Sequence, residues 1–491
     1  MRKYVHLSIC FLLTGLVFTQ SIFAQPIEKW DLQKCVDYAL KNNISVRQTD
    51  LQSRFSALTL KQTKATALPT FNFSGNAGNS FGLSNNPVTG IYTDNSFFSV
   101  GAQLQSQITI FNWFYRKNLI AADKLTYEAD LEQTKKIQND VALNVAVAYL
   151  QILLAREQVN IADIQIQQTL SQLESTRKQV DAGRLPELNY VQIESQLATD
   201  SSNFITAQTS AQQFVLQLKA LLNLDAGKPF DIEAPPVDRI PVESLAELQP
   251  ESVYTSALAN LPQQKVNDLR IKSAIKSSEA SRATMYPSIT AFGSLSTNYA
   301  KQKKIPVYDT VNLGYKALTG IRTVIAPGIY GNIEQEDIEN TNTINHYLRS
   351  DAFFKQFRGN FGQNIGIGLS VPIFNGRAAR TAWERSKLTV KNLELTKEQS
   401  DQQLKQDIYK AYTDATASIQ KFNANKKGVE AAQKAYDFAK KRYDLGLLST
   451  FELLNTQNAL QTSKTQLAYA QFDYVFKMKL LEFYKGQGLK L

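Results

Sequence analysis

Cysteine and histidine are nearly absent, with two of each in 491 residues. Cys10 and His6 fall within the first 24 residues, so only Cys35 and His346 remain beyond them. One cysteine cannot close an intrachain disulfide, and Cys35 reads as a small apolar residue on a helix face. One histidine cannot anchor a Cys/His metal cluster, and a Ser-His-acid triad would hang on His346, beside which nothing places a nucleophile. His346 therefore reads as a surface residue. No phosphate-cradling glycine loop is present, and the scattered carboxylates read as solvated helix faces. These absences argue against an enzyme: no catalytic residue, metal site or cofactor is expected. Charge of one sign is also lacking. The net +10 falls to +8 without Arg2 and Lys3, and the cations are spread along helical patterns, so no nucleic acid partner and no polybasic membrane patch is expected.

Long apolar runs are scarce too. The chain opens on Met1-Arg2-Lys3, an apolar run over 7–18, and Ser21-Ile22-Phe23-Ala24. This is the pattern of a secretory signal peptide cleaved after Ala24, and with no cysteine at the cleavage point no N-terminal lipid anchor is expected. No later stretch of 18 or more apolar residues follows, so no helix is expected to cross a bilayer. If the exported chain enters a membrane, it must do so as strands closed into a barrel.

Glycine and proline are absent from residues 112–182, a stretch that as one helix would measure about 106 Å. Apolar residues recur at spacings of three and four (Val141, Val145, Tyr149, Ile152, Val159, Ile166, Leu170, Leu173, Val180), the seam of a coiled coil that needs equally long partners. The rest of the chain repeats this plan. Ala39-Leu40-Lys41-Asn42 and Leu68-Pro69 recur 218 residues later as Ala257-Leu258-Ala259-Asn260 and Tyr286-Pro287. Ile110-Phe111-Asn112, Tyr149, Gly183, Leu185 and Leu197 recur 263 residues later, from Ile373-Phe374-Asn375 to Leu460. Two such constant offsets identify a tandem duplication with a 45-residue insertion in the second copy. The expected organisation is a signal peptide at 1–24, a first repeat at 25–222, a Pro-rich linker at 223–250 and a second repeat at 251–491. The insertion falls at about 300–360.

Each repeat reads as a helix (31–68; 251–286, interrupted at Pro262), two strands, a long helix, a tight turn and a return helix. Gly183 and Gly446 suit the left-handed position after a helix, Pro186 suits a first turn, and Ser449-Thr450-Phe451-Glu452 reads as a capping box. The strands alternate: Val100, Ala102, Leu104, Ile108 and Ile110 against Gln103, Gln105, Gln107 and Thr109, and Ile365 to Ile373 against Asn364, Gly366, Gly368 and Ser370. Such alternation fits a transmembrane barrel or an ordinary half-buried sheet. Aromatics at strand ends (Phe97, Phe98; Phe111, Trp113, Phe114, Tyr115; Phe374, Trp383) favour the barrel, as interfacial girdles. Four strands cannot close a barrel, so copies must associate: two chains give eight strands, three give twelve and a lumen.

At Val371-Pro372-Ile373-Phe374-Asn375-Gly376, where the last strand runs into a long helix, and in the order of hairpins, duplication and signal peptide, the chain resembles the TolC family of outer-membrane efflux proteins. The resemblance covers essentially the whole mature chain, although Ile108-Thr109-Ile110-Phe111-Asn112 lacks the proline. It implies a mainly α fold with a membrane β-barrel: tandem-duplicated helical hairpins forming a periplasmic α-barrel, and four strands per protomer contributing to a twelve-stranded trimeric β-barrel. The implied role is passive exit duct of a tripartite efflux or type I secretion system in a Gram-negative outer membrane. The implied partners are two further copies, outer-membrane lipid, a periplasmic adaptor and, through it, an inner-membrane transporter.

The resemblance also assigns positions. Gly183, Arg184, Leu185 and Gly446, Leu447, Leu448 match the hairpin tips where the adaptor docks. Glu452 matches an acidic ring at the periplasmic constriction, although a capping-box glutamate is the plainer reading of that residue. Asn455 stands where the family has a second acid. Tyr443 matches the latch tyrosine, while Leu448 and Asn189 replace the latch arginine and aspartate, so that Arg184 could only partly restore the latch. The insertion is expected as an extracellular cover. A secreted trimeric coiled-coil stalk or adhesin-like protein is the alternative of another class, and it would stay soluble without detergent.

Overall fold

The computed structural model describes residues 28–85, 92–94, 97–233, 243–301, 305–327, 329–348 and 351–486. The expected signal peptide and part of the linker lie outside them. The chain runs β1 (Lys29–Trp30), α1 (Leu32–Asn42), α2 (Ile44–Ala65), β2 (Thr70–Ser80), β3 (Leu83–Asn85), β4 (Tyr92–Asp94), β5 (Phe97–Phe111), α3 (Tyr115–Asp181), α4 (Glu187–Leu221) and β6 (Asp231–Ile232). It continues with α5 (Pro250–Asn260), α6 (Pro262–Ala283), β7 (Ser288–Lys301), β8 (Ile305–Ala326), β9 (Ile329–Leu348), α7 (Phe353–Gly359), β10 (Gly362–Ser370), α8 (Ala378–Asp444) and α9 (Thr450–Lys485).

Both ends of α1 and α2 recur 218 residues later in α5 and α6, and both ends of α3 recur 263 later in α8, each of these long helices having 67 residues. Backbone conformation repeats as well. Positive φ occurs at Trp113 and Gly376, Phe114 and Arg377, Gly183 and Gly446, and Asn223 and Gly486, every pair 263 apart, with Gly82 the one unpaired case among the described residues. The first expected helix is in fact two. Asn43, in extended conformation (ψ 131°), ends α1, receives Ser45 N–H at 2.9 Å on its side-chain oxygen and donates to the Leu221 carbonyl at 2.8 Å. It corresponds to Leu261, just before Pro262, so the proline of the second copy marks a break that Asn43 makes in the first with hydrogen bonds.

The fold divides into two compact units that do not coincide with the repeats, since each draws on both: Met1–Leu60, Ala121–Ile275 and Lys387–Leu491 form one, and Lys61–Ile120 and Lys276–Ser386 the other. The first unit holds two equivalent cores. Cys35, Ala39, Val145, Ala148, Ile152 and Leu218 belong to one; Val253, Ala257, Ile408, Ala411, Ala415 and Leu481, at the two repeat offsets, belong to the other. Cys35 thus takes the place of a valine, and burial, aided by the nearby Asp31 charge, pushes its thiol up to about 12. Tyr149 donates its hydroxyl to the Glu233 carbonyl at 2.6 Å, while its counterpart Tyr412 accepts from Gln249 Nε2 at 3.3 Å. Both tyrosines tie a long helix to the expected linker at 223–250. Within it, β6 pairs in parallel with β1.

By length and composition alone, α3 contains an 18-residue window apolar enough to cross a bilayer. Val141, Val145, Tyr149 and Ile152 on this helix are core residues, so its apolar character serves the protein interior. The expected apolar seam is also only partly present. Toward the end of α3 the buried positions are Gln165, Thr169, Gln172 and Thr176, and Leu170 is exposed.

The second unit contains a four-stranded antiparallel sheet in the order β10-β7-β5-β2. Register sorts its side chains cleanly. Phe71, Ser106, Gly293 and Ile365 lie side by side; Phe73, Leu104 and Leu295 form the next row, and Ile108, Ala291 and Ile367 another on that face. The opposite face carries Asn72, Gln105, Ser294 and Asn364, then Ser74, Gln103 and Ser296. Two large apolar residues share it: Phe97, opposite Ser80 at the strand end, and Phe292, opposite Gly366, where an added Cβ would stand 2.7 Å from the ring. The apolar face is bare: Phe73 is 75% and Ile365 91% exposed. The last strand stops at Ser370, short of the expected Ile373. Of the expected girdle, Phe97 is buried, whereas Phe111, Trp113 and Phe114 cluster, with Trp113 5.1 Å from Tyr286. The insertion forms a long two-stranded hairpin, β8 with β9, followed by α7; His346 lies in β9.

Candidate functional site at the hairpin turns

The two turns between long and return helices, residues 182–186 and 445–449, are built alike. Gly183 (φ 68°) donates to the Val180 carbonyl at 2.8 Å, and Arg184 N–H donates to the Gln179 carbonyl at 2.9 Å. Gly446 (φ 74°) and Leu447 N–H repeat this with Tyr443 and Arg442, each at 2.8 Å. Each is a Schellman motif, which satisfies the last carbonyls of the long helix and requires glycine at the left-handed residue. Arg184 and Leu447 are carried out into solvent, while Leu185 and Leu448 turn inward against Tyr436, Tyr443, Leu453 and Leu460.

Ser449 and Glu452 form the expected capping box. Glu452 N–H donates to Ser449 Oγ at 3.2 Å, and the Glu452 carboxylate accepts from Ser449 Oγ at 2.8 Å and Ser449 N–H at 3.2 Å. The side-chain bond from Ser449, followed by the backbone bond, holds this exposed carboxyl below its ordinary range. Within one chain, therefore, the cap lowers its affinity for protons, opposite to the effect expected of a ring of like charges. Asn455 is exposed one turn further along α9, and Asn189 is half-buried in the first turn of α4.

Tyr443, expected as a latch residue, is buried, and its hydroxyl meets only neutral hydroxyls among the described residues. Its hydroxyl lies 3.1 Å from Thr176 Oγ1 on α3 and accepts from Thr450 Oγ1 at 3.4 Å. It joins the two hairpins through neutral hydroxyls, with no arginine or aspartate, and neither Arg184 nor Asn189 is among its partners. Above it the polar seam continues. Gln457 Nε2 donates to Thr169 Oγ1 at 2.9 Å; Thr169 Oγ1 also lies 2.7 Å from buried Asp200 Oδ2, whose other oxygen accepts from Gln196 at 2.8 Å. Gln196 and Asn458 exchange two amide bonds at 3.2 and 3.4 Å. Sequence reasoning missed Thr176, Thr450, Thr169, Gln457 and Asp200. The available signal was the 4-3-4 spacing of Gln165, Thr169, Gln172 and Thr176, which puts four uncharged polar residues on one helix face.

These groups can hold helices in register and line a constriction; nothing in them activates a nucleophile or relays a proton. Comparison with known proteins agrees. The outer membrane efflux protein family model matches residues 35–224 and 346–480. The chain is 22% identical over 384 residues to outer membrane protein TolC of Escherichia coli, spanning 77% of this chain and 67% of that protein. It is 21% identical over 429 residues to the alkaline protease secretion protein AprF of Pseudomonas aeruginosa, spanning 86% and 77%. Among solved structures, CusC superposes with a TM-score of 0.73 at 18% identity, covering 96% of this chain and 95% of that one. VceC of Vibrio cholerae gives 0.70 at 15%, covering 94% and 97%. The long duplicated hairpins, the strand-bearing unit and a family model that spans both repeats lead to one conclusion: the chain belongs to the outer membrane efflux protein family, the TolC-like channels of the Gram-negative outer membrane.

Proposed function

We propose that three copies of this chain close into one duct that carries cargo passively out through the outer membrane. The observation that carries this reading is the sheet: β2 and β10 are unpaired edges among the described residues, and its bare face is apolar. Neither condition is tolerable in water or lipid unless the edges meet other strands and the face meets hydrocarbon. Because the four strands alternate in direction, β2 of one chain can pair antiparallel with β10 of the next, and three chains supply twelve strands around a polar lumen. The helices support the same association. Ile44, Leu51 and Leu58, seven apart, with Phe55 at 64% exposure, form a heptad seam left exposed among the described residues.

In this reading residues 25–222 and 251–491 are the two repeats, 223–250 wraps the tunnel as a linker, and the insertion covers the outer mouth. The tips Gly183, Arg184, Leu185 and Gly446, Leu447, Leu448 receive a periplasmic adaptor, which connects the duct to an inner-membrane transporter. Glu452, Asn455, Asn189, Tyr443 and Arg184 form the entrance constriction, and no chemistry is done on the cargo. Relatives are named for protease secretion and for toxin and drug export, and in this reading the transporter sets the cargo class. Purified protein added to a planar bilayer should give long-lived ohmic channels; protein that is soluble without detergent and conducts nothing would return the stalk-like alternative.

A further inference from the structure

At one end of the sheet, β7 outruns its neighbour. It pairs with β5 as far as Lys301, opposite Phe98, but with β10 only as far as Ser296, opposite Gly362. Residues 297–301 therefore present an edge to no strand, and α7 occupies it. Buried Gln356 acts as a substitute peptide group: its Oε1 accepts from Ala300 N–H at 3.1 Å and its Nε2 donates to the Ala300 carbonyl at 3.2 Å. Asn360 Nδ2 donates to the Asn298 carbonyl at 2.9 Å, and Thr297 Oγ1 to the Phe357 carbonyl at 2.5 Å. This short helix is pinned to the edge.

What it displays there is aromatic and cationic. Phe353 packs 4.9 Å from Tyr299 and stacks on Phe357 at 5.1 Å, while Phe354 is 83% exposed. Tyr299 lies opposite Val100, which puts it on the apolar face, and Lys301 follows two residues later on that face. From Ile289 to Tyr299 is ten residues, about 34 Å of strand, or roughly 26 Å across a membrane at a tilt near 40°. The cluster at Trp113 and Tyr286 and the cluster at Tyr299 and Phe353 are thus spaced as two interfaces. Just past the second stand three exposed cations. Lys355 shares a 3.0 Å solvent-exposed pair with Asp351; Lys301 and Arg358 have no ion-pair partner among the described residues.

We propose that α7 is an outer-leaflet clamp: Phe353, Phe354 and Phe357 seat at the headgroup boundary, and Lys301, Lys355 and Arg358 bind the phosphates of a phosphorylated outer-leaflet glycolipid. The proposal rests on the reading of the sheet as membrane-spanning. Its charge matches that headgroup, and its aromatic side continues the apolar face.

Full-length protein is reconstituted in phosphatidylcholine vesicles carrying lipid A, extracted gently, and weighed by native mass spectrometry for retained lipid. The natural chain should retain lipid A, and the triple variant Lys301→Gln, Lys355→Gln, Arg358→Gln should lose affinity by roughly a hundredfold while keeping its bilayer conductance. Phe354→Ser should weaken retention on its own. Equal retention by the triple variant, equal retention of dephosphorylated lipid A, or displacement by inorganic phosphate would overturn the clamp. Loss of subunit association in Phe354→Ser would also overturn it, by assigning α7 to the seam between copies. A natural chain that never conducts would instead defeat the membrane reading beneath the proposal.

Discussion

The Tyr443 hydroxyl stands 3.1 Å from Thr176 Oγ1, a buried contact between the last turn of one 67-residue helix and the lower part of the other. It is the point at which the two hairpins of a chain are pinned beside their turns. Tyr443→Phe leaves the ring packed and removes only the hydroxyl, so it should cost about 1 kcal/mol and loosen the hairpin tips. In planar bilayers the variant should show a larger open-state conductance than the natural chain. Thr176→Val should do the same, and the two combined should add little to either alone. Unchanged conductance in all three would remove this contact from the entrance.

The turn from β5 into α3 makes an independent prediction. Trp113 and Phe114 both hold positive φ, at 50° and 64°, where bulky residues are strained, whereas the repeat partner of Trp113 is Gly376. Trp113→Ala keeps the strain and loses the ring; Trp113→Gly loses the ring but relieves the backbone. The glycine variant should therefore be the more stable of the two by about 1 kcal/mol, read as a higher melting temperature in detergent. The reverse order would show that the backbone there is unstrained.

Glu452 couples a cap to a candidate gate. Its hydrogen bonds with Ser449 depress the carboxyl, so its capping contribution is full above the unfolded carboxyl range and fades as pH falls through the folded value. At neutral pH it is charged, and Glu452→Gln should reduce the cation preference of the channel. As pH falls through the depressed folded value, below the ordinary carboxyl range, the natural chain should come to resemble the variant. Identical reversal potentials for the two at pH 7 would take Glu452 out of the bore.

Cys35 offers a probe of the first core. Burial raises its thiol to about 12, so little thiolate forms at pH 8, and the side chain has no exposed surface. Maleimide labelling of the folded chain should be negligible over hours and become complete in denaturant. Rapid labelling of the folded protein would place Cys35 outside the core it shares with Val145 and Ile152.

Much of this was legible because duplication supplies a second reading of most helical positions. The helix ends follow the two offsets, and so do the core pairs, such as Val145 with Ile408. The features that escaped do so for physical reasons. Asn43 breaks its helix with the help of a hydrogen bond to a residue 178 positions away, which no local pattern reveals, although Pro262 marks the same site in the other repeat. The seam of Gln165, Thr169, Gln172 and Thr176 breaks the expectation that a buried stripe is apolar. Polar side chains replace it where they satisfy one another and Asp200. The helix α7 is shorter than periodicity can detect, and its anchor, Gln356, acts as a peptide group. Exposed Phe71, Phe73 and Ile365 read as ordinary strand residues until register places them all on one uncovered face.

The central claim is that β2 of one copy meets β10 of the next, and a cross-link tests it directly. Ser74→Cys and Asn364→Cys put one thiol on the polar face of each edge strand, and in one chain β5 and β7 stand between them. Cys35 is buried and does not compete. With a dimaleimide reaching about 8 Å, less than three strand spacings, the double variant in outer membranes should give covalent dimers and trimers and no larger species. The single variants should give none, and a double variant that stays monomeric, or that links beyond three chains, would contradict a closed three-chain barrel.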